Sequence, residues 1–322
     1  MESKNNWKAW LYLAPVIILL AVFTFYPIIK TIYVSFLKDY DYTNGTHEGF
    51  TFYNYLRVLT PWSDRGGEIG TMFYEVMKVA LPNTFLLAIV TVPLSIIISM
   101  VLAIALNSIK VLKKFFQTVF FMPYVTNAIA IGMVFSVLFS TDYGLMNMLF
   151  NTPGKPWVSG GLLSKPVNYW SGFFAITFYI VWHSLPYKIL IFLGGLQNID
   201  AQYYDAAKID SASKLKTAWK ITVPLLSPQI LYMLITSSIG AFKEYNSVIG
   251  LFGSGTMGGG IFDSKTGPES MHTMVYFIYD QIGKNDTAHG VQYASAAAVF
   301  LFLIILAFTI IQTKVSKKRV HY

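Results

Sequence analysis

Six long apolar runs dominate this chain of 322 residues, and each is long enough to cross a lipid bilayer as a helix, which takes about 20 residues. The runs cover residues 9–36, 83–107, 115–139, 171–196, 223–252 and 291–314. The composition agrees, since 54% of the residues are hydrophobic and 12% are charged. The mean hydropathy of +0.51 is too high for a water-soluble domain of this size. We therefore predict an all-α membrane protein with six transmembrane helices in a single domain, residues 1–322.

The distribution of lysine and arginine predicts the orientation of these spans, because positive residues collect on the cytoplasmic side. With the N-terminus inside, the cytoplasmic segments carry 12 of the 24 lysines and arginines, whereas the much longer outer segments carry 8. Both termini and the segment 201–224 are therefore predicted to be cytoplasmic. The first apolar run is interpreted as a retained span, because it is longer than the apolar core of a signal peptide.

A short polar segment between the fourth and fifth spans has the features of a contact for a soluble partner. We predict a helix over 201–213, with small residues on one face that allow close approach and carboxylates that pair with basic groups at the rim of a groove. The residues assigned to this contact are Asp205, Ala206, Ala207, Asp210, Ser211 and Ala212. The alternative interpretation is an ordinary helix that lies on the membrane surface.

The same segment resembles the cytoplasmic coupling motif of ABC importer permeases, which reads approximately E-A-A, two residues, D-G-A, and then I-x-L-P. Residues 205–207 stand at E-A-A, and residues 210–212 stand at D-G-A with Ser211 in place of the glycine. Ile221 and Pro224 match the end of the motif. A further departure is Asp200, where this family usually has proline, although aspartate is a good helix N-cap.

Other parts of the chain are similar to the maltose-type, carbohydrate group of these permeases. The matching stretches are residues 10–15, 25–27, 122–124, 143–147 and 293–298. The resemblance implies a type I ABC importer permease fold with a cytoplasmic coupling helix, in a bacterial plasma membrane. It also implies a second homologous permease subunit, two ATPase subunits and an extracytoplasmic solute-binding protein. ATP and Mg²⁺ then belong to the ATPase subunits, and no cofactor or metal is expected in this chain.

Polar residues near the middle of the spans mark a candidate pathway, because such residues are expensive in lipid and face a bundle interior or a wet cavity. Helical spacing predicts shared faces for Tyr179, His183 and Tyr187, and for Lys243 and Asn246. Aromatic faces beside amides and hydroxyls suit sugars. The candidate substrate-binding residues are Tyr124, Asn127, His183, Ser184, Tyr187, Lys243, Tyr245 and Asn246. Four of them, Tyr124, Tyr187, Lys243 and Asn246, align by resemblance with sugar-contacting positions.

Two of these candidates leave alternatives open. Lys243, with Lys188 nearby in the pathway, favours a carboxylated sugar such as a uronate-containing oligosaccharide; the alternatives are an ion pair with Glu244 or a side chain that snorkels outward. His183 is a proton-relay group, a metal ligand or a hydrogen-bonding pocket wall. No second histidine or carboxylate lies in its span, which favours the pocket wall.

The sequence thus predicts an importer permease for a carbohydrate, driven by ATP hydrolysis on partner subunits and without enzymatic activity of its own. The nearest alternative is an ABC permease for a non-sugar solute. A proton-coupled secondary transporter would use His183, Lys243 and Glu244 as titrating groups. A membrane enzyme would need His183 and Ser184 to act together, but adjacent helix positions point in different directions.

Overall fold

A computed structural model describes residues 6–61, 71–109, 113–158, 168–253, 271–283 and 290–316. Within these ranges the protein is helical, and its only β pairing is two isolated bridges in residues 37–50. The α-helices are α1 Asn6–Leu20, α2 Tyr26–Ser35, α3 Tyr53–Leu59, α4 Thr71–Phe73, α5 Leu81–Ser108, α6 Lys113–Val125, α7 Ala128–Leu138, α8 Leu145–Leu149, α9 Tyr169–Gln197, α10 Ala201–Ile209, α11 Lys214–Thr217, α12 Val223–Leu225, α13 Ser227–Phe242, α14 Asn246–Phe252, α15 Met274–Gly283 and α16 Gly290–Ser316. Three π-helical segments continue neighbouring helices at Ala21–Phe25, Tyr74–Ala80 and Ala218–Thr222.

Four helical stretches are long and apolar enough to cross a membrane without interruption. They are Trp10–Ser35, Tyr74–Ser108, Tyr169–Gln197 and Gly290–Val315. These stretches coincide with the first, second, fourth and sixth predicted spans, although the second begins nine residues earlier than predicted. The remaining two predicted spans correspond to bent pairs of helices, so the described residues contain six spans when each bent pair is counted as one.

The third predicted span is not one straight helix, because α6 and α7 meet at an angle of 103°. Pro123 precedes the break, and Thr126 Oγ1 donates a hydrogen bond to the Pro123 carbonyl (2.8 Å). Asn127 then takes an extended conformation and caps α7. A side chain that caps a new helix ends the previous one, so the span predicted over 115–139 is broken just after Pro123, a proline of the kind that kinks membrane helices.

The fifth predicted span is interrupted twice. The first interruption lies near its start, where the helical stretches Lys214–Leu225 and Ser227–Phe242 meet at an angle of 66°. Pro228 lies in the first turn of α13 and has no N–H to donate to the carbonyl four residues earlier, which loosens the helix at that point. A second break follows Phe242, and α14 starts at Asn246.

Residue contacts divide the chain into two compact units, residues 1–76 with 277–303 and residues 77–276 with 304–322. In the first unit, the buried Asn54 side chain donates to the carbonyls of Ser35 (2.9 Å) and Leu37 (2.8 Å), which fixes α3 to the end of α2. The second unit holds two apolar clusters centred on α5 and α9, which pack along each other. All of the predicted site residues belong to this second unit.

Candidate functional site

Three tyrosines from three helices form a cluster in the second unit. Tyr124 on α6 stacks on Tyr187 on α9, with ring centroids 5.7 Å apart and planes 15° apart. The Tyr187 hydroxyl lies 2.9 Å from the Tyr232 hydroxyl on α13. Tyr124 and Tyr187 were predicted from the sequence, whereas Tyr232 was missed. A sequence signal for Tyr232 exists, since it precedes Thr236 by four residues and the two polar side chains therefore share a face of α13.

Asn127 has a structural role, the capping of α7, which was not predicted from the sequence. Its Oδ1 accepts hydrogen bonds from the backbone N–H groups of Ile129 (2.9 Å) and Ala130 (3.2 Å). The residue is exposed, and its amide nitrogen takes no part in the cap. Asn127 therefore lies at a helix break and not at the midpoint of a straight span.

His183 and Ser184 differ in how their polar atoms are satisfied. The Ser184 hydroxyl donates to the Val181 carbonyl of its own helix (2.9 Å). The His183 ring lies 5.8 Å from the Tyr179 ring, and its Nε2 is buried without a hydrogen-bond partner among the described residues. The Tyr179 hydroxyl donates to the Ala128 carbonyl, directly after the break between α6 and α7. His183 is thus the one of the two with a polar atom that has no hydrogen-bond partner among the described residues.

The residues around Lys243 form a second helix break. Because α13 ends at Phe242 and α14 begins at Asn246, the predicted shared helical face of Lys243 and Asn246 is wrong. Glu244 Oε1 accepts a hydrogen bond from the Ser247 N–H (3.0 Å), which holds the start of α14. Tyr245 is half-buried and packs against the apolar core of this unit.

Within the described part of the chain, the charge of Lys243 has no counter-ion. Lys243 is exposed, and no carboxylate of the described residues lies within 4.0 Å of its Nζ. The predicted alternative of a Lys243 ion pair with Glu244 is therefore not formed. Lys188 behaves differently, because it is buried and its Nζ donates to Ser95 Oγ (2.8 Å) in the interface between α5 and α9.

The structure brings together only part of the predicted substrate site. No hydrogen bond or ring contact joins the tyrosine cluster to His183, Lys243 or Asn246 within the described ranges. The described residues also hold no group of three or more histidine, aspartate or glutamate side chains placed to bind a metal ion.

The predicted coupling segment is a helix followed by a tight reversal. α10 covers Ala201–Ile209, and the Asp200 side chain caps it by accepting from the Gln202 N–H (2.9 Å). The helix predicted over 201–213 is too long, because Ser211 adopts φ +52° and reverses the chain. The left-handed conformation explains why a glycine suits this position.

The small residues of α10 do not share one exposed face as predicted. Ala207 is buried, while Ala206, Asp205 and Asp210 are exposed. A cavity of about 340 Å³ lies beneath the segment and separates it from the ends of α5 and α9. Its lining includes Asn107, Ser108, Leu196, Tyr204, Ala207 and Ala212. The segment therefore presents acidic residues outward, and Ala207 and Ala212 face the ends of the membrane helices across this cavity.

Comparison with known proteins identifies the family. The profile of the binding-protein-dependent transport system inner membrane component matches residues 95–321. The chain belongs to this family. It is a multi-pass permease component of ABC importers that work with a solute-binding protein, which confirms the importer prediction. Members of this family do not hydrolyse ATP themselves. Membership in the family therefore disfavours two alternatives from the sequence, a membrane enzyme and a proton-coupled secondary transporter.

Individual relatives and a solved structure extend this result. The arabinooligosaccharides transport system permease protein AraP of Halalkalibacterium halodurans is 31% identical over 308 residues, which are 94% of this chain and 85% of AraP. The lactose transport system permease protein LacF of Rhizobium radiobacter is 31% identical over 256 residues, 78% of each chain. A chain in the crystal structure of a bacterial ABC transporter for the acidic polysaccharide alginate matches with a TM-score of 0.74 at 16% identity, over 99% of this chain and 98% of that one. This likeness confirms the type I permease fold.

Proposed function

We propose that this protein is one permease subunit of an ABC importer that carries an oligosaccharide across the bacterial plasma membrane. The observation that carries the pathway is the pair of helix breaks at residues 126–127 and 243–245. Non-helical backbone at membrane depth is tolerated only where it is buried in protein or lines a water-filled cavity. Asn127 and Lys243 are exposed at these breaks, which favours the water-filled cavity.

The tyrosine cluster supports a sugar as the solute. Aromatic rings stack on the CH-rich faces of sugars, and phenol hydroxyls donate and accept the hydrogen bonds that sugar hydroxyls require. Tyr124, Tyr187 and Tyr232 supply both features at one place. The transport system names of AraP and LacF, an arabinooligosaccharide and a lactose system, agree with this solute class.

Lys243 supports an acidic oligosaccharide in particular. Its ammonium group is exposed at a helix break and has no carboxylate within 4.0 Å among the described residues. An ammonium group at the wall of a pathway binds a carboxylate by a charge-assisted hydrogen bond, which is stronger than a neutral one. We therefore assign Lys243 the role of reading a carboxylate, with His183, Ser184, Tyr245 and Asn246 as further candidate contacts around the same path.

The proposed importer also contains partner subunits. A second permease completes the pathway, and two ATPases bind ATP and Mg²⁺ on the cytoplasmic side, where both termini lie. None of the residues in the most apolar window of Trp10–Ser35 is buried, which leaves this span available to another subunit or to lipid. Closure of the ATPases moves α10, and the membrane helices rock from an inward-open to an outward-open state.

The test is the ATPase activity of the reconstituted complex with its binding protein, titrated with neutral and with uronate-containing oligosaccharides. We expect acidic oligosaccharides to stimulate hydrolysis, and Lys243→Gln to weaken their apparent affinity by about tenfold or more, because a charge-assisted hydrogen bond is lost. Lys38→Gln is the matched control, because Lys38 already pairs with Glu48 at 2.7 Å. Stimulation by neutral sugars alone would remove the carboxylate-reading role, and no response to any sugar would contradict the solute class.

A further inference from the structure

An aromatic cleft of about 600 Å³ lies at the N-terminal end of the span Tyr169–Gln197, away from the helix breaks of the proposed pathway. It is lined by Phe150, Lys155, Trp157, Trp170 and Phe174, together with Asn168 and Ser171. A cleft of this volume holds a small-molecule group. The family assignment and the proposed transport function give it no role.

One wall of the cleft is held in place by the hydrogen bonds of a buried asparagine. Asn147 is buried at its centre, and its amide nitrogen donates to the carbonyls of Thr141 (2.9 Å) and Lys155 (3.1 Å). Its oxygen accepts from Trp157 Nε1 (2.7 Å) and from the Thr152 hydroxyl (3.1 Å). A buried amide with all of these bonds fixes the surrounding loop in one arrangement. The cleft is therefore preformed.

Among the described residues that line the cleft, one is a lysine. Lys155 Nζ sits 3.9 Å from the centroid of the Trp157 ring, as a cation–π contact. No carboxylate of the described residues lies within 4.0 Å of it. The ammonium group is thus held in place by a neutral ring, and its charge is left for an anion.

Below the cleft, an exposed aromatic stripe continues along the span. Trp170, Phe174 and Phe178 follow each other at intervals of four residues, which places them on one face of α9. Their exposed fractions are 64%, 41% and 40%. Phe174 also contacts Phe150 and Trp157 in the cleft, at 6.1 and 5.6 Å between centroids. The cleft is therefore continuous with this exposed aromatic stripe, which runs along the span from Trp170 to Phe178.

We propose that this cleft binds the headgroup of an anionic phospholipid. The lipid phosphate lies on Lys155, and one acyl chain follows Phe174 and Phe178. The orientation predicted from the lysines and arginines places this cleft on the outer side of the membrane, where aromatic residues also collect at the interface. The Lys155 ammonium group is complementary to a phosphate, to which it donates a charge-assisted hydrogen bond. The aromatic stripe distinguishes this ligand from free phosphate, because phosphate has no apolar part that could pack on it. The site is independent of the solute that the importer carries.

The test uses the full complex in nanodiscs that contain phosphatidylglycerol or phosphatidylcholine with a photoreactive acyl chain. We expect the phosphatidylglycerol probe to label the peptide that carries Phe174 and Phe178 in preference to the phosphatidylcholine probe. Lys155→Gln should reduce that preference by about fivefold, the effect of one lysine near a membrane surface. This substitution keeps the backbone carbonyl that Asn147 binds.

Lys38→Gln serves as the control, because it removes a lysine that already has a carboxylate partner, and it should leave the labelling unchanged. Three outcomes overturn the site. Equal labelling by both lipids would show an aromatic belt without headgroup selection. Unchanged labelling in Lys155→Gln would show that Lys155 does not select the headgroup. No labelling from either lipid would show that another subunit covers the aromatic stripe. Competition by inorganic phosphate without any effect of lipid type would likewise overturn the phospholipid.

Discussion

Gly132 on α7 lies against Gly250 on α14 so closely that neither position has room for a side chain. A Cβ atom on Gly132 would lie 2.7 Å from Gly250 Cα, and one on Gly250 would lie 2.9 Å from Gly132 Cα. Small residues at helix crossings allow such close packing in membranes. This contact joins the helix that follows the first break to the helix that follows the second, so it fixes the two breaks relative to each other.

Gly132→Ala should therefore destabilise the protein. The added methyl group meets backbone atoms, which cannot rotate away as a side chain can, and overpacking of this kind costs about 1–3 kcal/mol. Thermal unfolding of the purified permease complex measures the loss. Gly194→Ala is the matched control, since a Cβ there has no atom within 4 Å, and alanine stabilises a helix by roughly 0.5–1 kcal/mol over glycine. Equal behaviour of the two variants would contradict the crossing.

A second prediction concerns the end of α10. Ser211 has φ +52°, the Ala212 N–H donates to the Ala207 carbonyl (2.9 Å), and the Ser211 N–H donates to the Lys208 carbonyl (3.0 Å). This is a Schellman motif, in which the left-handed residue is usually glycine. Ser211→Gly should be tolerated, whereas Ser211→Val should cost more than about 1 kcal/mol. Hydrogen exchange of the α10 amides measures the difference, and equal protection in both variants would refute it.

The membrane spans show what the sequence could and could not predict. Apolar length is enough to find a span, and the stretches Tyr169–Gln197 and Gly290–Val315 lie within two residues of their predicted ends. Hydropathy averages over a window, so it cannot detect a break at one residue. The signals at Asn127 are a proline four residues earlier, which indicates a kink, and an amide that caps the following helix, which places the break.

The candidate site shows a similar division. Tyr124 and Tyr187 lie on different helices, and only their resemblance to a sugar-binding family linked them before the structure did. Tyr232 was missed because tyrosines are common in this chain, which has 21 of them. Helical spacing failed for Lys243 and Asn246 because α13 ends at Phe242 and a new helix begins at Asn246. Spacing arguments hold only within one uninterrupted helix.

The tyrosine cluster yields a third prediction. Tyr232→Phe removes the hydroxyl that lies 2.9 Å from the Tyr187 hydroxyl but keeps the ring. Removing one hydrogen-bonding group from a sugar site should weaken the apparent affinity for the solute by about fivefold, equivalent to a net loss near 1 kcal/mol. Uptake into proteoliposomes at varied solute concentration measures it. Tyr143→Phe, at an exposed position outside the spans, is the control, and equal kinetics in both variants would argue against a binding role for Tyr232.

A fourth prediction tests the outward face of α10. Asp205 is exposed and forms an ion pair with Lys208 at 2.7 Å. An exposed pair of this kind contributes only about 0.2–1 kcal/mol, so Asp205 is free to exchange Lys208 for a basic group on an ATPase. Asp205→Arg reverses the charge at this contact. It should lower solute uptake by about tenfold, the equivalent of 1.4 kcal/mol, while ATP hydrolysis continues without stimulation by the loaded binding protein.

Lys208→Ala separates this effect from the local ion pair. It breaks the same pair but leaves the Asp205 carboxylate available to an ATPase, so uptake and stimulated hydrolysis should both persist. Unfolding midpoints of the two variants should agree, because neither side chain is buried. If Lys208→Ala reduced uptake as strongly as Asp205→Arg, the ion pair itself would be the important feature. If Asp205→Arg transported normally, the outward acidic face of α10 would have no part in coupling.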